Sequence, residues 1–204
     1  NIIVVHVVSN VKFAKKAVDA GVDAIVAEGF EAGGHNGKEE TTTMCLIPLI
    51  RKAVSIPLIA AGGIGSGASM VAAMALGADG VQIGSRFIAS SESSAHQNFK
   101  DYILHAKEGD TQLMLKEITP VRLLKNEFYN QIVSAYDKGA TKEELQALLG
   151  RGRAKKGMFL GDLKEGELEV GQISANMDTI KPAADIVLEI IEEFQHIKNK
   201  ISKI

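Results

Sequence analysis

The first ninety residues alternate between short, continuously apolar runs and longer stretches in which apolar residues recur at helical spacing. The apolar runs predict β-strands at residues 2–8, 24–27, 58–61 and 81–83. The stretches between them predict helices at residues 11–20, 43–54 and 66–76. Because the strands lack alternating polar positions, we expect both of their faces to be buried, as in a parallel sheet covered by helices.

A repeated phrase marks the junctions between helices and strands. Residues 20–23 read Ala-Gly-Val-Asp and residues 76–79 read Leu-Gly-Ala-Asp, each directly before an apolar run. The first predicted helix opens at Ser9 or Asn10, and asparagine is a residue type that caps helix N-termini. Helix, glycine, aspartate and strand recurring in this order predict repeated βα units, and therefore a fold of the α/β class.

The second half of the chain has a different pattern. Residues 92–150 predict helices, and Thr141 followed by Glu144 is typical of a capping box. Residues 150–157 form a basic loop interrupted by glycines. We predict a terminal amphipathic helix over residues 178–204, ending in a lysine-rich tail. The predicted division of the chain is 1–91, 92–177 and 178–204, with the middle part a helical insertion.

Composition excludes several classes of protein. Hydrophobic residues make up 46% and charged residues 24%, which excludes a disordered chain. The net charge of −2 gives no reason to expect a nucleic-acid or membrane-surface partner, and no apolar run is long enough to span a bilayer. A single cysteine, Cys45, excludes an internal disulfide and a multi-cysteine zinc site. We expect a cytoplasmic protein, with Cys45 buried.

A histidine flanked by glycines follows the second predicted strand. His35 lies after Gly33 and Gly34, within residues 27–37. Loops at the carboxyl ends of parallel strands are where barrel enzymes carry out chemistry, and a neutral imidazole can accept a proton near neutral pH. We therefore predict that His35 is a general base. Glu28 and Glu31 flank the start of the loop that carries His35. Their carboxylates can orient that loop or form structural ion pairs.

Two further glycine loops follow the third and fourth predicted strands. The first contains Gly62 and Gly63, and the second contains Gly84 and Ser85. Glycine leaves room for a ligand to approach backbone N–H groups, and a serine hydroxyl can donate another hydrogen bond. Successive loops of this kind predict a phosphate site.

These segments resemble the nitronate monooxygenase family, which includes FMN-dependent enoyl-acyl-carrier-protein reductases of type II. The matching segments are AEGFEAGGHNG at 27–37, PLIAAGGI at 57–64, VQIGSRF at 81–87, RLLKN at 122–126 and GQIS at 171–174. The resemblance implies a TIM (β/α)8 barrel, of which this chain holds strands five to eight and a C-terminal helical region. We therefore expect a longer native protein with four more βα units at its N-terminus.

The resemblance also implies a cofactor and roles for individual residues. It implies that FMN is bound noncovalently and that His35 faces the flavin and takes the substrate proton. The residues matched to cofactor binding are Gly33, Gly34, Gly62, Gly63, Gly84 and Ser85. Ser85 stands where threonine is usual in the family, and it keeps the hydroxyl.

Three functions remain open from the sequence. The first is oxidation of alkyl nitronates with O₂ by an FMN-dependent enzyme. The second is NAD(P)H-dependent reduction of an enoyl group on acyl carrier protein, which the threonine run at residues 41–43 favours. The third is a non-catalytic protein that binds a phosphate ligand. The expected partner is a small-molecule or acyl-carrier-bound substrate, without nucleic acid or membrane, and a homodimer is left open.

Overall fold

The computed structural model describes residues 2–203, which form seven strands and eight α-helices. The strands are β1 (Val5–Val8), β2 (Ala24–Glu28), β3 (Gly34–His35), β4 (Leu58–Ala61), β5 (Gly80–Gln82), β6 (Thr111–Met114) and β7 (Val121–Leu124). The helices are α1 (Val11–Asp19), α2 (Thr43–Ala53), α3 (Gly67–Ala75), α4 (Ser85–Ile88), α5 (Gln97–Leu104), α6 (Glu127–Asp137), α7 (Lys142–Leu149) and α8 (Ala183–Ile201).

The first half of the chain is a four-stranded parallel sheet in the order β1-β2-β4-β5. Helices α1, α2 and α3 connect successive strands, which confirms the predicted βα units and the α/β class. The side chain of Asn10 caps α1 by accepting from the Phe13 N–H at 2.8 Å, and Ser66 forms a capping box with Ser69 at the start of α3. The four predicted strands are therefore confirmed, with ends shifted by at most a few residues.

The core of this half lies between the sheet and its helices. Strand β2 is almost completely buried, and the apolar faces of α1 and α2 pack against it. Residues Ile25 and Leu58 on neighbouring strands and Ile47 on α2 have no exposed surface. Burial of each such side chain stabilises the fold by roughly 1.5–3 kcal/mol, so this cluster holds β2 and β4 together near their paired residues Ile25 and Leu58.

Strand β1 differs from the expectation of burial on both faces. It lies at the edge of the sheet, and Val5 and Val7 are each 47% exposed. Ile2 and Ile3, predicted as part of this strand, precede it and are exposed. The physical reason is that residues 2–203 supply a neighbouring strand for β1 on one side only. Cys45, expected to be buried, is also exposed, because it lies on the outer side of α2, one residue before the buried Leu46.

The prediction that residues 92–150 are helical is wrong in part. Strands β6 and β7 form an antiparallel hairpin, and β7 also pairs with β3 to give a three-stranded sheet in the order β3-β7-β6. All four residues of β7 are buried, including Arg122. Helical periodicity could not reveal this sheet because its strands are two to four residues long and β3 is distant from β7 in sequence.

The helices of the middle region form two small cores. Phe99 and Leu168 belong to one, and Phe128 and Leu145 to the other. Thr141 and Glu144 form the capping box predicted for α7. The boundaries at 92 and 177 remain predictions.

Helix α8 packs against α3. At this contact the Glu193 carboxylate accepts a 2.7 Å hydrogen bond from the Gly67 N–H. A Cβ on Gly67 would lie 2.2 Å from the backbone nitrogen of Phe194, so the two helices meet without space for a side chain. The predicted terminal helix is present, but Ile204 lies outside the described residues. No helix within residues 2–203 combines the length and hydropathy needed to cross a bilayer.

Candidate active site

A cleft of about 300 Å³ opens at the carboxyl ends of β2, β4 and β5. Loops from the parallel sheet form one wall, and segments of residues 92–177 form the other. The side chains and backbone that line it come from Glu28, Glu31, Ala32, Gly33, Ala61, Gly62, Gly63, Ile64, Gln82, Gly84, Ser85, Ile88, Met158, Glu169, Val170 and Ile173. The carboxyl ends of parallel strands are the usual place for a ligand in α/β proteins.

Five of the seven predicted site residues lie in this cleft. They are Gly33, Gly62, Gly63, Gly84 and Ser85. Gly34 and His35 form the short strand β3 beside the cleft and are not part of its lining. Gly34 is buried and His35 is exposed. The structure therefore brings the glycine loops together and places the histidine at their margin.

The loop after β4 requires glycine for two reasons. Gly62 and Gly63 have φ values of +92° and +69°, a region that residues with a Cβ rarely adopt. A Cβ on Gly62 would also lie 2.7 Å from the carbonyl oxygen of Gly29. Within residues 2–203 the N–H of Gly63 has no hydrogen-bond acceptor. This loop therefore offers an unused backbone donor to the cleft.

The loop after β5 offers space and a hydroxyl group. A Cβ built on Gly84 meets no atom within 4 Å, so a side chain there would project into unfilled space. The Ser85 Oγ accepts a 2.8 Å hydrogen bond from the N–H of Gly171. The hydroxyl proton of Ser85 remains available to a ligand, since this contact uses the oxygen as an acceptor.

Glu31 is held by helix α2 and does not orient His35. Its carboxylate accepts a 2.9 Å hydrogen bond from the N–H of Thr43, in the first turn of that helix. The Thr43 hydroxyl lies 3.0 Å from the same carboxylate and 2.8 Å from the carbonyl oxygen of Gly62. Thr42 is the N-cap residue of α2 and makes no capping contact with its side chain. Glu31 and Thr43 thus fasten the β4 loop to α2.

The segment around Gly171 closes the cleft from the other region. The backbone N–H of Gln172 donates to the Glu31 carbonyl at 2.9 Å. A Cβ on Gly33 would lie 2.4 Å from the carbonyl carbon of Val170, and a Cβ on Gly171 would lie 2.8 Å from the Glu31 carbonyl oxygen. Glycine at both positions lets the two backbones touch. The GQIS segment noted in the sequence is therefore a docking segment for the histidine loop.

Arg122 fixes the start of the histidine loop from within the three-stranded sheet. Its Nε and Nη2 donate to the carbonyl oxygen of Phe30 at 3.1 and 3.0 Å, and its guanidinium lies 4.4 Å from the centre of the Phe30 ring. Burial lowers the pKa of Arg122, while the charges of Glu31 and Glu40 oppose this effect. In the sequence, only its place in the RLLKN segment distinguishes this arginine from others.

Asn36 closes the other end of the loop. Its side-chain amide donates to the carbonyl oxygens of Ala32 at 2.9 Å and Gly34 at 3.1 Å. Its backbone N–H donates to the carbonyl of Pro120, next to β7. The segment between Phe30 and Asn36 is therefore held at both ends, and His35 has a defined position beside the cleft.

Two carboxyl groups in the cleft have perturbed acidity. Burial raises the pKa of Glu28. Burial also raises the pKa of Glu169, and the nearby charge of His35 opposes the increase. Glu28 was noticed in the sequence, whereas Glu169 was missed because its only signal was adjacency to the GQIS segment.

The family is shown by a comparison with protein-family models. The model described as nitronate monooxygenase matches residues 1–193. The chain belongs to this family. Curated relatives include a probable nitronate monooxygenase of Staphylococcus aureus (strain MSSA476), 37% identical over 188 residues, and one of Staphylococcus saprophyticus, 34% identical over 192 residues. These alignments cover 87% and 89% of this chain but 52% and 53% of the relatives, so the chain spans about half their length.

Solved structures of similar proteins support the fold. FabK from Thermotoga maritima superposes with a TM-score of 0.89 at 37% identity, over 98% of this chain and 63% of that one. Nitroalkane oxidase from Streptomyces ansochromogenes superposes with a TM-score of 0.78 at 28% identity, over 98% of this chain and 59% of that one. Both are TIM barrels, which confirms the expected fold class and the expectation that this chain represents part of such a barrel.

Proposed function

We propose that this chain contributes the phosphate-binding and proton-transfer half of an FMN-dependent oxidoreductase that oxidises alkyl nitronates with O₂. Family membership supports the reaction class. The observation that carries the proposal is the cleft itself, in which glycine loops from neighbouring parallel strands meet beside an accessible histidine. The expected substrate is a small molecule, an alkyl nitronate or the nitroalkane from which it forms.

The residues in the cleft fit the phosphate end of FMN. The unused N–H of Gly63 and the Ser85 hydroxyl are donors suited to phosphate oxygens. The unfilled space at Gly84 leaves room for the phosphate to approach the backbone. Gly33 and Gly62 complete this wall. When bound, FMN supplies the electron-accepting group that the protein side chains lack.

His35 has the chemistry and the freedom to act as the base. It is exposed at the margin of the cleft, while the loop that carries it is held by Arg122 and Asn36. For a neutral nitroalkane, the imidazole would take the proton from the carbon bearing the nitro group. The electron pair of the broken C–H bond would remain on the substrate, which becomes the nitronate anion.

The experiment that tests this role is His35→Ala in the full-length protein. A general base contributes typically 10²–10⁴-fold, so turnover of a neutral nitroalkane should fall by about that factor while FMN stays bound. Turnover of a nitronate prepared in its ionised form should fall much less, since its proton is already gone. His196→Ala is the matched control because His196 is exposed on α8, away from the cleft.

The outcomes separate the catalytic interpretation from a binding function. Unchanged turnover of both substrates in the His35→Ala protein would show that His35 is a structural loop residue. If flavin is bound normally but no substrate is turned over even by the wild-type protein, the chain would belong to a non-catalytic phosphate-ligand binding protein.

A second candidate is NAD(P)H-dependent reduction of an enoyl group on acyl carrier protein. The structural similarity to FabK supports it. The two candidates differ in what reduces the flavin. The full-length flavoprotein is mixed anaerobically with NADH, with NADPH or with a nitronate. Only the physiological reductant among them should bleach the flavin rapidly. Rapid bleaching by a nicotinamide and none by nitronate would favour the reductase.

A further inference from the structure

We propose that Thr43 is a positioning residue for the phosphate of FMN, because its hydroxyl group sets the direction of a backbone N–H in the loop after β4. The inference rests on the proposed function, which places the phosphate at this loop. Thr43 does not line the cleft. It would therefore act on the phosphate through the backbone of Gly62 and Gly63.

The Thr43 hydroxyl is buried against the end of β4. The residue is 8% exposed, so water does not compete for its hydroxyl. The Gly62 carbonyl oxygen lies 2.8 Å from this hydroxyl, nearer than the Glu31 carboxylate at 3.0 Å. Glu31 also accepts the Thr43 N–H, so its contact with α2 does not depend on the hydroxyl. A Cβ on Gly29 would lie 2.1 Å from the hydroxyl oxygen, so glycine at residue 29 leaves room for the group.

The Gly62 carbonyl and the Gly63 N–H belong to the same peptide unit. A peptide unit is planar and trans, so its C=O and N–H bonds point in opposite directions. While the carbonyl points at Thr43, the N–H points away from it. Gly63 lines the cleft, and its N–H has no acceptor within residues 2–203. The Thr43 contact therefore fixes the direction of a donor that the proposed function assigns to the phosphate.

The glycine backbone does not by itself hold this peptide unit in one orientation. Turning the unit over changes ψ of Gly62 and φ of Gly63, and glycine tolerates positive and negative φ alike. A cavity of about 150 Å³, lined in part by Thr43, Gly62 and Gly63, leaves space behind the loop. Packing therefore does not lock the peptide unit, and the hydrogen bond to Thr43 is the contact that does.

The N–H groups later in the same loop are already used. Those of Gly65 and Ser66 both donate to the Ser69 hydroxyl, at 3.1 and 3.0 Å. These contacts belong to the start of α3, where Ser66 and Ser69 form the capping box. A phosphate bound at this loop has to use donors at the beginning of the loop, where Gly63 lies.

The test measures the binding of FMN and of riboflavin, which is the same flavin without the phosphate. The full-length protein is freed of flavin, and each flavin is titrated in while its fluorescence is followed. The wild-type protein should bind FMN about a hundredfold more tightly or better, since two donors face the phosphate. Thr43→Ala should weaken FMN binding by about tenfold or more, the loss expected for one hydrogen bond to a charged group. Its affinity for riboflavin should stay near the wild-type value.

Two threonine variants serve as controls. Thr43→Ser keeps the hydroxyl and should bind both flavins as the wild type does. Thr42→Ala is the matched control, because Thr42 is the exposed neighbour whose side chain makes no capping contact. It should leave both affinities unchanged. Thr43→Val removes the same hydroxyl and fills its space, and it replaces Thr43→Ala in the comparison if the alanine variant does not fold.

The ratio of the two affinities separates this inference from the proposed function. If the wild type binds riboflavin as tightly as FMN, the proposed phosphate site fails and the role of Thr43 with it. If the wild type prefers FMN and Thr43→Ala keeps the same preference, the site stands and the role of Thr43 is overturned. An equal loss of affinity for both flavins in Thr43→Ala would also overturn it, since such a loss reports damage to the fold.

Discussion

The two walls of the cleft present different chemistry. The loops of the parallel sheet offer backbone at the glycines after β4 and β5 together with the Ser85 hydroxyl, and the Glu31 side chain is occupied in holding α2. The middle region offers side chains, including Met158, Glu169 and Ile173. The first wall is suited to binding a group that does not change during a reaction, such as a phosphate. The side chains of the second wall are suited to adjusting the chemistry next to that group.

The comparison shows which contacts hold the segment from Phe30 to Asn36 that carries His35. The loop leaves the parallel sheet at Phe30 and is held from both regions: by Thr43 of α2 through Glu31, and by the middle region through Arg122 and the Gly171 segment. Both regions therefore contribute to the conformation of the loop. Substitutions on either wall should separate these contributions.

The largest expected effect is at the contact between the walls. Gly33→Val in the full-length protein would place side-chain atoms against the backbone of Val170, where even a Cβ would lie at 2.4 Å. Backbone cannot move aside as a flexible side chain can, so we expect the free energy of unfolding to fall by about 3 kcal/mol or more. Urea unfolding measures this loss.

The matched control is Gly80→Ala, where a Cβ meets nothing within 4 Å. It should change the free energy of unfolding by no more than about 0.5 kcal/mol. Equal losses in the two variants would show that the close approach at Gly33 is not a constraint.

A smaller, pH-dependent effect is expected at Glu167, a buried residue of the middle region that does not line the cleft. Burial and the neighbouring charge of Glu169 raise the pKa of Glu167 from 4.5 to about 7. Well below pH 4.5 the carboxyl is protonated in both the folded and the unfolded state, so its ionisation does not change the free energy of unfolding. As the pH rises from 4.5 to about 7, the carboxyl ionises in the unfolded state before it ionises in the folded state. The free energy of unfolding therefore falls by up to about 3 kcal/mol, and this loss is complete above pH 7.

Glu167→Gln removes this ionisation. Relative to wild type, the free energy of unfolding of the full-length variant should increase by about 1–3 kcal/mol between pH 4.5 and pH 8. Thermal unfolding across that range measures the difference. Glu192→Gln, at an exposed carboxyl on α8, should give a difference that stays flat with pH. A flat difference for Glu167→Gln as well would contradict the assignment.

The smallest effect on stability is expected at the backbone wall. Gly84→Val adds a side chain where a Cβ meets no protein atom, so unfolding should change by no more than about 0.5 kcal/mol. The added methyl groups would occupy the space proposed for the FMN phosphate. Flavin retention after gel filtration of the full-length protein should therefore fall sharply. Normal retention would remove Gly84 from the proposed phosphate site.

The sequence was most informative about the parallel sheet. Its strands, their order of connection and the glycine loops all leave local signals, because apolar runs and glycine punctuation depend on neighbouring residues. The helix caps at Asn10 and Thr141 were predictable for the same reason. The roles that the sequence assigned to the glycines and to His35 remain predictions.

The middle region was harder to predict because its important contacts join distant residues. Strand β7 lies in a stretch whose pattern predicts helix, and its partner β3, only two residues long and far away in sequence, leaves no local signal of the pairing. Glu169 and Arg122 carry no local pattern that distinguishes them from surface charges. Their significance depends on Gly34 and Phe30, which only the folded chain brings near.

The contact between α3 and α8 has a consequence for the order of folding. The hydrogen bond from the Gly67 N–H to Glu193 closes a loop across 126 positions of sequence. Contacts of such long separation require a large loss of chain entropy before they form, so they slow folding. Helix α3 begins directly after the β4 glycine loop. We therefore expect the N-terminal turn of α3 to become fully ordered late, only after α8 has emerged from the ribosome.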